Sequence, residues 1–413
     1  MSSIFDLIII GGGSGGVACS RRAAEYGAKV ALIEGDRLGG TCVIRGCIPK
    51  KLMMYAGNFN ENIKDALDYG WEGINLDSLK FNASKWQQKK TNEIDRLEKI
   101  YSKLLVDSNV NVFKGFGILK KQNTVKVNNQ ILTGEKIVIA TGGRPRTKII
   151  PGLDSVLTSN EILDISDIPK NIGILGSGYI AMEFACILKN LGVSVSIFFR
   201  SDLPLKGFDQ DIRIKLSKIL RESGINLYPN SKLKSVTKEN NSFTLNFDNK
   251  KMKFEKILNA LGRSPNLDSV IENIDIKLGS DGEILVNEKS ETSQKDVFAI
   301  GDVTNRVNLT PVAIEEGRAL AENEFNNKNI IVDHKNVASA VFTSPPIGTI
   351  GLTEKEAKEK NMFEKIRIYE SEFNPMKKSF SQKKKKIYIK LIVQDKTDEI
   401  LGAHILGDDA PEI

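Results

Sequence analysis

Residues 4–34 read IFDLIIIGGGSGGVACSRRAAEYGAKVALIE, and the order of residue types in this stretch sets the fold class. Ile4–Ile10 is a β-branched and apolar run with no alternation, the pattern of a strand buried on both faces. It enters GGGSGG at Gly11–Gly16, then VACSRRAAEYG, a helix stopped by Gly27, then a second buried strand at Lys29–Glu34. Gly11, Gly13 and Gly16 form G-x-G-x-x-G. The first glycine permits a tight turn, the second lets backbone approach a pyrophosphate, and the third allows close helix–strand packing. The helix N-terminus supplies donors and a favourable dipole for the anion. Glu34 ends the second strand where an acid would accept hydrogen bonds from ribose hydroxyls.

A second copy occupies Asn171–Arg200, NIGILGSGYIAMEFACILKNLGVSVSIFFR, with Gly176, Gly178 and Ala181 at the fingerprint positions. At its far end Arg200 stands in place of an acid, and Lys206 follows. An acid would repel a ribose 2′-phosphate, whereas a guanidinium binds it with a planar fork; the second site therefore reads as one for NADP. The alternative is a pair of solvated surface cations. Two such units imply two nucleotide-binding domains, one inserted in the other. Between them, Ser84–Asp107 is charged with helical spacing. EKIVIATGGRPR (Glu135–Arg146) and EKILNALGRSPN (Glu255–Asn266) read as crossovers between domains, and DVFAIGDV (Asp296–Val303) as a strand ending at an acid. From about Ile331, short β-rich segments predict a third domain built on an antiparallel sheet.

The chain has 413 residues and 45.7 kDa, too long for one core. No apolar run reaches the roughly 18–20 residues needed to span a bilayer. The N-terminus has no basic segment ahead of its apolar run, so no secretory signal is expected. The net charge of +7 is mild, and its densest cluster, Lys383–Lys386 preceded by Lys377 and Lys378, reads as a lysine-rich turn. A nucleic-acid patch is the competing reading, but no aromatic platform accompanies the lysines. Four cysteines in so long a chain are not a secreted disulfide scaffold, and a cytoplasmic setting is the expectation.

Two cysteines lie in GGTCVIRGCIPKK (Gly39–Lys51). As a crosslink, Cys42–Cys47 would restrain little chain entropy. Zinc would need further ligands, and Cys19, Cys186, His334 and His404 form no ligand-spaced cluster, so no metal site is expected. Cys19 and Cys186 read as packed thiols on the helices that follow the glycine turns. A redox-active pair remains. Pro49, Lys50 and Lys51 lead into a helix-forming run, so Cys47 is expected near a helix N-terminus, where dipole and lysines favour a thiolate.

With these motifs in place, the chain resembles the flavin-dependent pyridine nucleotide–disulfide oxidoreductases, and its motifs are most similar to those of glutathione reductases. The resemblance is carried by GGGSGGVACSRRAAE, GGTCVIRGCIPKKLM, IVIATGGRPR, GSGYIAMEFA, NALGRSPN, VFAIGDV, LTPVAIEEGR, FTSPPIGTIGLTE and GAHILGDDAPEI. It implies two Rossmann-like domains and a C-terminal α+β dimerisation domain: 1–145 and 265–330 for FAD, 146–264 for NADP, and 331–413 for the interface of a homodimer. It implies that Gly11, Gly13, Ser14, Gly15, Gly16, Glu34, Thr41, Gly117 and Asp302 hold FAD, with Thr310 near the isoalloxazine. Lys50 would lie by the flavin and pair with Glu183, with Lys51 a rival for that role. Tyr179 would gate the nicotinamide pocket. Gly176, Ser177, Gly178, Ile180, Arg200, Lys206, Gly262 and Arg263 would bind NADPH. Cys47 would face the flavin and Cys42 would attack the substrate, glutathione disulfide, which Arg21, Tyr101 and Arg318 would line. Both arginines fit an acidic substrate, whereas relatives that act on cationic disulfides replace them. The family's terminal His-Pro-x-x-x-Glu segment has no match here, so a fragment lacking the acid–base histidine, with its interface domain incomplete, is expected to reduce glutathione disulfide poorly.

Overall fold

A computed structural model describes residues 3–268, 270–272, 274–359, 365–381 and 385–413. Residues 1–50, 88–145 and 263–334 make one compact unit, and residues 51–87, 146–262 and 335–413 make a second.

The first unit opens with β1 (Ser3–Ile10), α1 (Ser14–Glu25), β2 (Val30–Glu34) and a short α2 (Gly40–Arg45). Helices α3 (Cys47–Asp68) and α4 (Ala83–Asp107) each contain a boundary between the units. Strands β3 (Asn111–Lys114), β4 (Gly117–Lys121), β5 (Thr124–Val127), β6 (Gln130–Ile139) and β7 (Gly143–Pro145) follow. The main sheet runs β3-β2-β1-β6-β5-β4. Leu7–Ile10 of β1 pair in parallel with Val30–Ile33 on one side and Lys136–Ile139 on the other. Leu7, Ile8, Ile9 and Ile10 are all buried, which is why the run does not alternate.

The second unit takes the next strands. β8 (Asn171–Leu175), α5 (Tyr179–Asn190), β9 (Ser194–Phe198), α6 (Gln210–Glu222) and β10 (Asn226–Tyr228) repeat the strand–helix–strand order. An antiparallel sheet of β11 (Leu233–Glu239), β12 (Ser242–Phe247) and β13 (Lys251–Phe254) precedes β14 (Lys256–Asn259), which completes the parallel order β10-β9-β8-β14.

The chain then returns to the first unit. β15 (Arg263–Pro265) pairs antiparallel with β7, β16 (Val297–Ala299) lies parallel to β6, and α7 (Thr310–Phe325) packs on the sheet through Leu320 and Ala321. The last segment belongs to the second unit: β17 (Ser339–Val341), β18 (Ile347–Gly351), α8 (Glu354–Glu359), β19 (Ile366–Phe373), α9 (Met376–Phe380), β20 (Ile387–Gln394) and β21 (Ile400–Leu406). Its strands form one antiparallel sheet, β17-β18-β21-β20-β19, so the β-rich ending of the sequence does fold as an antiparallel layer.

Within the second unit this layer is pinned by ion pairs that no sequence window contains. Lys390 is 1% exposed, yet its Nζ lies 3.1 Å from Asp209 and 2.6 Å from Glu354, and it also reaches Asp211. Asp209 is the N-cap of α6, so one lysine of β20 joins the sheet to that helix. The lysine-rich turn is likewise committed. Lys378 is buried against Asp65 of α3 at 2.6 Å, Lys385 pairs with Glu61, and Lys386 lies 2.8 Å from Glu372. Lys383 and Lys384 lie outside the described residues. No helix among the described residues is long and apolar enough to cross a membrane.

Candidate functional site

The first glycine turn has a backbone that side chains would obstruct. Gly11 has φ +114°, and a Cβ there would overlap the carbonyl of Ala140 at the end of β6. A Cβ on Gly16 would overlap the carbonyl of Gly11, which is why α1 can start so close to β1. Gly40, at φ +61°, would set a Cβ 2.6 Å from the Cα of Gly13. The Gly39–Gly40 pair thus covers the same turn, a partnership that spacing alone did not reveal. The Gly39 amide also donates to the Gly12 carbonyl at 2.9 Å.

Glu34 sits at the end of β2 with Oε2 accepting the Gly12 amide at 2.6 Å and Oε1 accepting the Asp36 amide at 2.7 Å. Burial pushes its carboxyl above the usual range, and these backbone amides pull it back. A cavity of about 420 Å³ opens beside it, lined by Glu34, Asp36, Leu38, Lys99 and Ser102 among others. Glycine turn, unencumbered helix N-terminus and half-buried acid fit a dinucleotide. Ser14 and Gly15 are the first residues of that helix, and Thr41 is exposed on α2. Gly117 starts β4 and packs on Ile10 and Ile33. Asp302 lies in the Gly301–Thr304 turn after β16. Burial raises its carboxyl, Arg263 opposes that and Glu316 adds to it. Arg263 in turn donates to the Gly143 carbonyl.

Cys42 and Cys47 are both thiols in this structure. Cys42 is half-buried on α2, and Cys47 is the exposed first residue of α3. Pro49 falls within the first turn of α3, where its missing N–H costs nothing. A hydrogen bond with Cys47, together with burial, pushes the Cys42 thiol far up. Thr310, the first residue of α7, brings its hydroxyl 3.8 Å from Cys47 Sγ. Tyr101 is half-buried on α4, and burial raises its hydroxyl. Arg21 on α1 donates to Ser108 Oγ at 3.2 Å, and Arg318 is exposed on α7. Cys19 and Cys186 are buried, and burial pushes each thiol up to about 12. They are packing residues.

In the second unit Gly176 has φ +118°, and a Cβ there would overlap the Ala260 carbonyl just after β14. Ser177 accepts the Leu205 amide at 2.8 Å on its carbonyl, which draws the segment carrying Lys206 to the turn. Gly178 is the N-cap of α5, and Tyr179, Ile180 and Ala181 are its first residues. Arg200 is exposed just beyond β9. Glu183 is buried on α5, with Oε1 accepting the Phe342 amide at 2.9 Å. Lys51 Nζ stands 4.3 Å from the Phe342 ring centroid, a cation–π contact, while Lys50 is buried in the first unit. Gly262, at φ +114°, accepts the Arg146 amide at 3.1 Å.

The pyridine nucleotide-disulphide oxidoreductase model matches residues 5–317, and the dimerisation domain of that family matches residues 337–413. The chain is 42% identical over 427 residues to the glutathione reductase of Nostoc sp., covering 100% of this chain and 92% of that protein. It is 40% identical to the glutathione reductase of Burkholderia cepacia, over 99% of this chain and 90% of that one. It is 39% identical to the chloroplastic/mitochondrial glutathione reductase of Pisum sativum, over 99% and 76%. The Cu(II) complex of the HOCl-induced flavoprotein disulfide reductase RclA from Escherichia coli superposes with a TM-score of 0.88 at 27% identity, over 100% of this chain and 91% of that one. With both family domains matched in sequence order and the glycine turns and thiol pair in place, the chain belongs to the pyridine nucleotide–disulfide oxidoreductases.

Proposed function

We propose that the protein is an FAD-containing, NADPH-dependent enzyme that reduces glutathione disulfide and works as a homodimer in the cytoplasm. The observation that carries the chemistry is the bonded thiol pair Cys42–Cys47 with Thr310 beside it. The substrate follows from whole-chain likeness to three glutathione reductases and from Arg21 and Arg318, residue types that bind carboxylates. We assign residues 1–145 and 265–330 to FAD, 146–264 to NADPH and 331–413 to self-association. Gly13, Ser14, Gly15, Glu34 and Asp302 would hold FAD; Ser177, Gly178, Arg200 and Lys206 would hold NADPH.

Bound FAD supplies passage of the two electrons of NADPH to the protein disulfide. The chain's own thiols then act on the substrate. Cys42, once its proton is removed, attacks one sulfur of glutathione disulfide, forming a mixed disulfide and releasing one glutathione thiolate. Cys47 attacks the Cys42 sulfur, closes Cys42–Cys47 and releases the second. Two protein thiols are oxidised as one substrate disulfide is reduced, and each leaving thiolate takes a proton. Thr310 beside Cys47 gives that sulfur a hydroxyl partner. His334 is bonded to Glu316 at 2.7 Å, and buried His404 is bonded to Thr349 and Leu352.

The test is steady-state kinetics with NADPH on glutathione disulfide, a cationic glutathione conjugate, lipoamide and thioredoxin. Glutathione disulfide is expected to exceed each of the others in kcat/KM by about 100-fold, the discrimination that two charge-assisted contacts supply. Preference for another disulfide would overturn the substrate assignment.

A further inference from the structure

The turn that presents Asp302 is held by a carboxylate to which the sequence assigned no role. Glu316 lies in α7 with its side chain 2% exposed. Its Oε2 accepts the Gly301 amide at 2.6 Å. Its Oε1 lies 2.8 Å from Arg306 Nη2 and 2.7 Å from His334 Nε2. A carboxylate this deep is costly unless both oxygens are bonded, and both are. Arg306 carries the network on to Ser290 Oγ at 3.0 Å.

Position explains what the network does. Gly301, at φ +70°, starts the turn whose second residue is Asp302. The residue after Glu316 is Gly317, and a Cβ there would come 2.5 Å from the Gly15 carbonyl. A Cβ on Gly15 would come 2.9 Å from the Ala313 carbonyl. One stretch of α7 therefore touches the first turn of α1 with its backbone and the Asp302 turn with its Glu316 side chain. The ion pair with Arg306 would offset the carboxylate's charge without any bond to Gly301. The bond to Gly301 joins two parts of the dinucleotide site that lie far apart in sequence.

We infer that Glu316 is a positioning residue: by accepting the Gly301 amide it fixes the Asp302 turn to α7 and sets Asp302 against the N-terminus of α1. The inference rests on the proposal that the first glycine turn binds FAD. Reach, rather than charge, does the positioning. Glu316→Asp keeps the charge for Arg306 and His334 but is one methylene too short for the amide. Glu316→Gln keeps the reach and an acceptor oxygen but loses the charge.

The experiment measures FAD dissociation from the holoenzyme and its visible flavin spectrum for wild type and both variants, with thermal melts confirming folding. Glu316→Asp is expected to weaken FAD binding about 10-fold and perturb the spectrum, the loss of one buried hydrogen bond, while Glu316→Gln stays within about 3-fold of wild type. The inference is overturned if both variants hold FAD as wild type does, if both are weakened equally, or if Glu316→Gln is the weaker. A wild-type protein that takes up no FAD would sink the functional proposal itself, a result distinct from all of these.

Discussion

The two glycine turns share a backbone and differ in what closes them. Gly11 and Gly176 have nearly the same φ, +114° and +118°, and each lies against the carbonyl of an alanine just past a neighbouring parallel strand. In the first turn, the carbonyl of Gly12 takes the amide of Gly39; in the second, that of Ser177 takes the amide of Leu205. Beyond that the copies part. The first has a half-buried acid, Glu34, which spends both oxygens on backbone amides. The second has an exposed arginine, Arg200, just beyond β9. We propose that the backbone sets a pyrophosphate-sized turn in both and that the residue at the end of the next strand selects the dinucleotide.

The largest effect should come from the shared glycine. Gly176→Ala meets the Ala260 carbonyl and a left-handed φ, a combined cost of about 3 kcal/mol or more, so NADPH binding should fall at least about 100-fold while FAD is retained. Gly11→Ala should do the reverse. Loss of FAD from Gly176→Ala, read by flavin absorbance after gel filtration, would break the claim that the turns act independently. Next in size, Arg200→Glu should lower kcat/KM for NADPH by about 10–100-fold and spare NADH, as expected for losing a charge-assisted phosphate contact. Equal losses with both nucleotides would mean that Arg200 is only a surface cation. Glu34→Gln should follow, because an amide NH₂ would face the amide of Gly12 or Asp36. A cost of about 1–2 kcal/mol predicts FAD binding weakened about 10-fold in a dilution titration.

The smallest effect separates the units by pH. His404 is buried, with Nε2 donating to the Leu352 carbonyl and Nδ1 accepting from Thr349, so it is held neutral and burial lowers it from 6.5. Its contribution is present above 6.5 and is lost as pH falls below that value, because the unfolded chain protonates first. Glu34 has the opposite sign. Its raised carboxyl favours the folded state below 4.5, and that contribution fades as pH rises through the folded value. Hydrogen exchange at pH 5.5 against pH 7.5 should therefore show β21 losing protection while β1 does not. Equal behaviour of the two strands would contradict this assignment of the charges.

Much of this was legible in the sequence. Leu7–Ile10 and Ile172–Leu175 are buried runs that end in glycine, although Ile4 at the start of the first run is exposed, and their geometry follows from sterics that act over a few residues. The antiparallel ending was legible from its short β-rich segments, though not which strands pair. What escaped was set by contacts across long stretches of chain. Gly40 lies on Gly13 because two turns cross, and Glu316 reaches Gly301 because α7 returns past the sheet. Lys378, part of a lysine-rich turn in the sequence, is buried on Asp65, whose partner cannot be inferred from local pattern. Lys390 sits inward in β20 where alternation calls for an apolar residue, and only the three carboxylates around it explain why.

We propose that electrons enter at the second turn and leave through Cys42 and Cys47. This is tested most directly by adding NADPH, or NADH in parallel, anaerobically to the oxidised FAD-loaded protein and counting alkylated thiols at each cysteine by mass spectrometry. NADPH is expected to make Cys42 and Cys47 both alkylatable, NADH to do so far more slowly, and Cys19 and Cys186 to stay unlabelled. No gain of thiols at Cys42 and Cys47 with NADPH would contradict it.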